Sequence, residues 1–378
     1  MESSTRRPAD PPTLKRTPFY EFHRAAKAKM VAFAGFEMPV QYPTGITREH
    51  EIVRAAVGVF DVSHMGEFEI TGQDRVGFAN RVTCNDVEAL AEGQAQYTAL
   101  LTEDGTFVDD CLLYQFGDKI MLVVNAANIE KDWRHVVERK GAADVRLRNL
   151  SDEVALLAFQ GPKAEQLLQA HTALELATIG YYCFGTGPVA GVECFVSRTG
   201  YTGEDGFELY FRARDAATMW NTLVGDGRAA PVGLGARDSL RLEVGYPLYG
   251  NDIDDTTNPY EAGLGWIVKL DKRTSFVGQQ RLRDVKAKGL GRKLVGFRVT
   301  ERGTIPRHGY DVYLGEHKVD VVRSGGFAPT LKEAIGTTYL PTHSVQPGTR
   351  FLIDCRGKKV PAEVVKLPFY QGGSVKRK

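Results

Sequence analysis

Apolar residues recur at helical spacing in some stretches of this chain and alternate with polar residues in others. The stretch from Phe19 to Met30 has its apolar residues three or four positions apart, which predicts an opening helix before a turn at Gly35. The same spacing predicts helices over residues 46–56 and 128–139, with a short strand, 59–62, after the first of these.

From Gly66 onward the pattern changes to strands. GEFEITG alternates, and YTALLT, TFVDDCLLYQF and IMLVVN follow it along the chain. The dipeptides Asp104-Gly105 and Gly117-Asp118 separate the last three, and both are strong hairpin signals. This part of the chain is therefore predicted to be a strand-rich unit.

The rest of the chain favours an α+β fold. After residue 151, strands such as VALLAFQG and FELYFR mix with helices such as PKAEQLLQAH, without the strict alternation that a doubly wound parallel sheet requires. Beyond about residue 285, short strands separated by glycine and proline turns predict a small β-barrel or sandwich.

Composition narrows the class of protein. With 378 residues, 43% of them hydrophobic, the chain has enough apolar material for two or three domains. The formal net charge of +1, spread over mixed acids and bases, does not suggest a nucleic-acid partner. No run of about 18 apolar residues predicts a membrane span.

Neither the cysteines nor the histidines form a recognisable metal or disulfide pattern. Five cysteines stand at irregular spacings without a Cys-x-x-Cys pair, which fits a reducing compartment. Eight histidines are scattered without His-Glu-x-x-His, so no metal is expected. Residues 1–17, rich in Ser, Thr, Pro and Arg, are predicted to be a flexible leader, either a fragment of a transit peptide or an inert tail.

Two adjacent carboxylates interrupt the apolar run GTFVDDCLLY. Successive side chains on a strand face opposite ways, so either Asp109 or Asp110 must lie against an apolar face. Burying a carboxylate is costly unless it is paired, hydrogen-bonded or protonated. Two interpretations remain open at this point, an exposed sheet edge that the acids protect and a pair of acids that faces a ligand.

Three further residues are candidates for ligand binding. Glu208 follows the glycine-rich TGYTGEDG and could accept two parallel N–H donors from a pterin or guanine edge, or be a solvated strand residue. Arg237, in the first turn of a predicted helix, opposes the helix dipole, so it needs an anionic or carbonyl-bearing ligand or a nearby Asp238 or Glu243. Tyr97 could stack on a ring or fill a core.

These stretches together resemble the T-protein of the glycine cleavage system, the aminomethyltransferase family. The resemblance runs from about residue 17 to 370, in the order TPFYEFH, FAGFEMPVQY, GVFDVSHMGEFEITG, GTFVDDCLLY, FQGPKA, TGYTGEDGFELY, GLGARDSLRLEVGYPLYGNDID and SGGFAPTLKEAIG. It implies a three-domain cloverleaf around a central folate site. Its parts would be a discontinuous first domain, an inserted second domain and a C-terminal β-barrel domain, at residues 18–63 with 152–280, 64–151 and 281–378.

The resemblance also implies roles for the candidate residues. The family's essential aspartate falls in VDDC, on Asp109, and its folate-binding Glu and Arg fall on Glu208 and Arg237. A tyrosine that contacts the ring falls on Tyr97. A C-terminal tyrosine that contacts folate in some members has no clear counterpart here, because Tyr370 is out of register.

The implied reaction moves one carbon from an aminomethyl group on the lipoyl arm of H-protein to tetrahydrofolate and releases ammonia. Tetrahydrofolate would be the co-substrate and H-protein the partner, with no metal, nucleic acid or membrane involved. The alternative is a non-enzymatic folate-binding factor of the same fold, as in iron–sulfur cluster assembly. The leader favours a mitochondrial matrix enzyme, with a bacterial cytoplasmic enzyme as the alternative.

Overall fold

In the computed structural model, which describes residues 13–375, the chain forms four β-sheets with α-helices between their strands. The helices are α1 (Tyr20–Ala25), α2 (Ile46–Ala55), α3 (Arg75–Val82), α4 (Ile129–Glu138), α5 (Ala164–Gln169), α6 (Ala216–Leu223), α7 (Leu234–Glu243) and α8 (Gln279–Lys288). None of these helices is long and apolar enough to cross a membrane.

The N-terminal segment contains a short hairpin where the sequence predicts a continuing helix. Strands β1 (Lys29–Phe33) and β2 (Phe36–Gln41) pair in antiparallel fashion, and Met30 lies opposite Pro39. The predicted helix to Met30 is therefore wrong beyond Ala25. Lys27 adopts a φ of 56°, a left-handed conformation that ends a right-handed helix.

A six-stranded sheet joins two distant parts of the chain. Its strands are β3 (Gly58–Asp61), β9 (Val154–Gln160), β10 (Phe184–Val189), β11 (Val192–Ser197), β12 (Gly206–Arg212) and β13 (Ala230–Pro231), in the order β10-β11-β12-β9-β3-β13. All neighbours are antiparallel except β3 and β13. Val59 pairs with Phe159, so a whole segment of the chain is inserted between adjacent strands.

That inserted segment forms a five-stranded antiparallel sheet. Its strands are β4 (Gly66–Thr71), β5 (Gln94–Leu101), β6 (Phe107–Gln115), β7 (Lys119–Val124) and β8 (Arg146–Asn149), in the order β5-β6-β7-β4-β8. Both predicted hairpins are confirmed, because β5 pairs with β6 and β6 with β7. Helix α4 packs through Trp133, whose ring lies edge-on at 5.1 Å from that of Phe68.

The C-terminal part is a seven-stranded antiparallel sheet. Its strands are β14 (Arg292–Val299), β15 (Asp311–Leu314), β16 (His317–Val321), β17 (Ser324–Ala328), β18 (Glu333–Pro341), β19 (Arg350–Cys355) and β20 (Lys358–Val365), in the order β16-β15-β19-β20-β14-β18-β17. Strand β16 also lies close to β18, so the sheet curls into a barrel-like shape. The α+β class is confirmed.

The sheets fall inside the predicted segments, although the domain boundaries themselves stay a prediction. Of the predicted leader, residues 1–12 lie outside the described residues. The remainder is packed: the backbone N–H of Lys15 donates to the Gly35 carbonyl at 2.9 Å, and the Thr17 hydroxyl donates to Asp61 at 2.6 Å. The flexible leader predicted for residues 1–17 is therefore wrong for Lys15 and Thr17.

Candidate functional site

A cavity of about 1020 Å³ lies where the three larger sheets meet. Its wall takes residues from β5 and β6, from β9 and β12, from α7, and from β14 and β20. Most of the lining is apolar or aromatic, with a few charged side chains among it, which is the usual character of a small-molecule site. The charged members are Asp110, Glu208, Arg237, Lys293 and Lys366.

Three of the four residues predicted for the site line this cavity, namely Tyr97, Glu208 and Arg237. The fourth, Asp109, is not among the lining residues, and its neighbour Asp110 is. The strand explains the difference, because consecutive side chains on β6 face opposite sides of the sheet. The geometry thus favours Asp110 over the predicted Asp109 as the acid that faces a ligand.

The carboxylate of Asp110 is fixed by two donors. The Tyr97 hydroxyl donates to its Oδ2 at 2.8 Å, and the Asn125 side-chain amide donates to its Oδ1 at 2.9 Å. Burial, and next the charge of Asp109, raise the pKa of Asp110 to about 7. Asp110 can therefore gain or lose a proton near neutral pH, as a general base or acid must.

The Asp109 side chain lies on the opposite face of the sheet from the cavity, beside Asn128 at the start of α4, and it is fully buried. It accepts hydrogen bonds from the Asn125 backbone N–H at 2.9 Å, the Asn125 amide at 2.9 Å and the Asn128 amide at 2.6 Å. The exposed-edge interpretation of the pair is wrong for Asp109, because β6 lies between β5 and β7.

Glu208 lines the cavity with its carboxylate. Its Oε2 accepts a hydrogen bond from the Thr199 hydroxyl at 2.5 Å, and the Tyr114 hydroxyl is a further donor to this carboxylate. Only 8% of the residue is exposed. Burial raises the pKa of Glu208, and the Thr199 hydrogen bond and the Arg237 charge oppose that rise. Glu208 is not the solvated strand residue that was the alternative.

Arg237 lacks the protein partners that would have explained its position. Asp238 pairs with Arg241 at 2.7 Å, and Glu243 pairs with Arg54 at 2.9 Å. In the described part of the chain, the Arg237 guanidinium has no ion pair or hydrogen bond and lies 4.6 Å over the ring of Tyr201. It lines the cavity, so a ligand with an anionic or carbonyl group is the remaining explanation.

Aromatic rings surround these polar groups. Tyr97 stacks on Trp266 with ring centroids 6.0 Å apart and an interplanar angle of 30°. Trp266 is 59% exposed although it also lines the cavity, so it lies at the mouth. Tyr97 therefore contacts both the cavity and Asp110, and it also packs against the neighbouring hydrophobic core, as the core-filling alternative expected.

Comparison with known proteins identifies the family. The family model described as the GCVT N-terminal domain matches residues 19–272, and the glycine cleavage T-protein C-terminal barrel domain matches residues 292–371. The chain belongs to the glycine cleavage T-protein family. Its curated relatives are aminomethyltransferases, which are transferase enzymes.

Individual relatives match over nearly their whole length. The chain is 50% identical over 359 residues to the aminomethyltransferase of Rubrobacter xylanophilus, covering 95% of each chain. It is 46% identical over 364 residues to that of Flavobacterium psychrophilum, covering 95% of this chain and all of the relative. The crystal structure of the glycine cleavage system aminomethyltransferase T from Bartonella henselae superposes with a TM-score of 0.91, at 36% identity, over 96% of this chain and all of that one.

The comparisons confirm the resemblance and the enzyme class, and they give no support to the non-enzymatic alternative. These T-protein relatives are bacterial, so they do not support the mitochondrial location expected from the leader. Within residues 13–375 no group of three or more His, Cys, Asp or Glu side chains is arranged to hold a metal ion.

Some lining residues of this T-protein site were not found from the sequence. Asn125 ends the apolar strand IMLVVN, and a polar residue at such an end is a signal that could have been used. Trp266 lies in a short 3-10 helix without a sequence pattern, and Tyr201 lies in the glycine-rich TGYTGEDG, where the glutamate that follows it drew the attention. Tyr370 is not among the lining residues; its ring lies 4.2 Å under the guanidinium of Arg54.

Proposed function

We propose that this T-protein moves one carbon from an aminomethyl group on the lipoyl arm of H-protein to tetrahydrofolate. The C–S and C–NH2 bonds of the carrier break, and the carbon forms bonds to two folate nitrogens. The two protons that those nitrogens lose are taken up by the leaving thiol and amine. The products are 5,10-methylenetetrahydrofolate, ammonia and dihydrolipoyl H-protein.

The observation that carries this proposal is the set of three charged side chains that line one cavity. Glu208 offers a carboxylate, Arg237 a guanidinium without an ion pair or hydrogen bond in the described part of the chain, and Asp110 a carboxylate that titrates near neutrality. A carboxylate suits the two parallel N–H donors of an amino-pyrimidinone edge, and a guanidinium suits a carbonyl oxygen. The set supports a pterin ring clamped by Glu208 and Arg237, with its reactive nitrogens toward Asp110.

The chemistry assigned to these groups is positioning and proton transfer. Holding the folate nitrogen and the amine-bearing carbon in attack geometry can contribute about 7–11 kcal/mol to lowering the barrier. As general base, Asp110 would take the proton from the attacking nitrogen, an effect typically worth about 10²- to 10⁴-fold in rate. As a carboxylate it also stabilises positive charge that develops on the carbon.

The two adjacent aspartates provide the sharpest test. Asp110→Asn removes the titrating group facing the cavity, so kcat should fall about 10²- to 10⁴-fold while folate binding is retained. Asp109→Asn changes a group behind the wall and should lower kcat much less. Ammonia release from aminomethylated H-protein, with and without tetrahydrofolate, measures turnover. Normal turnover in folded Asp110→Asn with collapse in Asp109→Asn would return the role to Asp109.

The same assay decides between an enzyme and a folate-binding factor. A chain that binds tetrahydrofolate but releases no ammonia would support the non-enzymatic alternative.

The compartment is part of the proposal too: the bacterial relatives support a bacterial enzyme over a mitochondrial one.

A further inference from the structure

A buried pair of acidic side chains lies directly behind the cavity wall. Asp132 lies on α4 one turn after Asn128, whose side-chain amide donates to Asp109 on β6 at 2.6 Å, so the two acids are neighbours, and neither is exposed to solvent. No lysine, arginine or histidine forms an ion pair with either residue in the part of the chain that the structure describes. Two carboxyl groups in contact and away from water cannot both ionise, so one holds a proton.

The hydrogen-bond donors show which of the two is protonated. Asp109 accepts three N–H bonds, from the backbone and amide of Asn125 and from the amide of Asn128. The oxygens of Asp132 receive no donor from residues 13–375. Donors favour the charged form of a carboxyl group, and burial without donors favours the neutral form. Asp109 is therefore the carboxylate, and Asp132 is the acid that donates its O–H to Asp109.

Asn125 connects this pair to the acid in the cavity. Its side-chain nitrogen lies 2.9 Å from Asp109 Oδ1 and 2.9 Å from Asp110 Oδ1. A side-chain amide has two hydrogens, so one nitrogen can donate to both carboxylates. The orientation of Asp110 and the charge beside it thus depend on the state of Asp109.

We propose that Asp132 is a positioning residue, whose O–H keeps Asp109 ionised and so maintains both the Asn125 bridge and the negative charge beside Asp110. The inference rests on the proposed role of Asp110 and extends it to a residue that does not touch the cavity. The titratable groups that interact electrostatically with Asp110 are Tyr97 from β5, Tyr201 from the turn before β12, Asp109 and Cys111 from β6, and Asp132 from α4.

This arrangement determines the direction in which the pKa of Asp110 should change when Asp109 is substituted. The negative charge of Asp109 adds to burial in raising the pKa of Asp110, while burial also raises the pKa of Asp109 and the donor on Asp132 opposes that second rise. Removing the charge of Asp109 should therefore lower the pKa of Asp110. The acidic limb of the kcat/KM profile, where Asp110 becomes protonated, would move to lower pH.

The test compares three substitutions by their pH profiles. Asp109→Asn should move the acidic limb down by about one pH unit, a tenfold change in the proton dissociation constant. Asp132→Ala leaves Asp109 with its three N–H donors but without the O–H donor, so the pKa of Asp109 rises, more of it is protonated, and the limb should move in the same direction by a smaller amount. Asp132→Asn keeps a neutral donor of nearly the same shape, so the limb should stay within about 0.3 pH unit of the parent.

A control and a second measurement make the result decisive. Glu130→Gln changes an exposed acid on the same helix and should leave the limb in place. Infrared difference spectra of the parent against Asp132→Asn at neutral pH should show loss of the carbonyl band of a protonated carboxylic acid, with no need for turnover. The inference is overturned if Asp132→Asn moves the limb as far as Asp109→Asn, if Asp132→Ala leaves it in place, or if no such band is lost.

The outcomes separate this inference from the proposed function. A parent protein that releases no ammonia would refute the proposed function, and the infrared spectra would still report on Asp132. If the parent turns over normally and the acidic limb of its kcat/KM profile stays in place in all three variants, only the inference is refuted.

Discussion

Removal of the Glu208 carboxylate should weaken the binding of tetrahydrofolate far more than it slows turnover at saturation. The residue lies on β12, lines the cavity, and has one carboxylate oxygen bonded to the Thr199 hydroxyl. Glu208→Ala deletes the acceptor for the pterin N–H groups and the negative charge opposite Arg237. It leaves Asp110 and its two donors in place.

The size of the effect follows from the kind of bond that is lost. A hydrogen bond to a charged group contributes about 1.5–3 kcal/mol, and each 1.4 kcal/mol corresponds to a factor of ten in Kd. Loss of one such bond therefore weakens folate about 10- to 150-fold, and loss of the second parallel bond adds to this. The Kd of Glu208→Gln for tetrahydrofolate should lie between those of the parent and Glu208→Ala, because an amide keeps one acceptor but turns an N–H toward the N–H donors of the ligand.

The assay is anaerobic titration of tetrahydrofolate, followed by the fluorescence of Trp266 at the cavity mouth, together with KM and kcat for ammonia release. The matched control is Glu193→Ala, which removes an exposed glutamate from the adjacent strand β11. Binding in folded Glu208→Ala within about threefold of the parent Kd would refute the clamp, because so small a change is less than one charged hydrogen bond.

Three further substitutions test the remaining parts of the structure. Tyr97→Phe removes the O–H that stabilises the Asp110 carboxylate, so the pKa of Asp110 should rise and the acidic limb of kcat/KM should move to higher pH; an unmoved limb would argue against this contact. Arg237→Lys keeps the charge but loses the planar fork and should raise the KM for folate about tenfold, whereas an unchanged KM would mean that Arg237 does not touch the ligand. Glu67 is fully buried without a hydrogen-bond partner for its carboxyl group in the described chain, and burial raises its pKa well above 4.5, so folding takes up a proton. The parent protein should therefore lose unfolding free energy as the pH rises from 5 to 7, by up to about 1.4 kcal/mol per pH unit, and Glu67→Gln should lose less. Urea titrations at each pH measure this difference. An equal pH dependence in the two proteins would contradict the prediction.

Patterns that depend on neighbouring residues were sufficient for most of the fold. Alternation in GEFEITG and the Asp-Gly and Gly-Asp dipeptides predicted β4 and the hairpins between β5, β6 and β7, because a turn and its flanking strands are local structures. The hairpin of β1 and β2 was missed. The helical spacing of Phe19, Phe22 and Met30 extends into the start of β1, whereas the helix ends at Ala25, before the left-handed backbone at Lys27.

Some features of the candidate site also followed from the sequence, and others did not. The sequence by itself determined the residue types, an acidic pair in VDDC, a glutamate after a glycine-rich turn and an arginine early in a helix, together with the family that they resemble. Strand geometry also determined that Asp109 and Asp110 face opposite sides. It could not say which side is the cavity, because that depends on how β6 packs against segments distant in the chain.

Only the tertiary structure decided which groups are left for a ligand. Arg237 is free because Asp238 and Glu243, its neighbours in sequence, are occupied by Arg241 and Arg54. Asp110 titrates near neutrality because burial and the charge of Asp109 act on it together. Burial, charge pairing and pKa are properties of contacts between distant segments, and local spacing carries no record of those contacts.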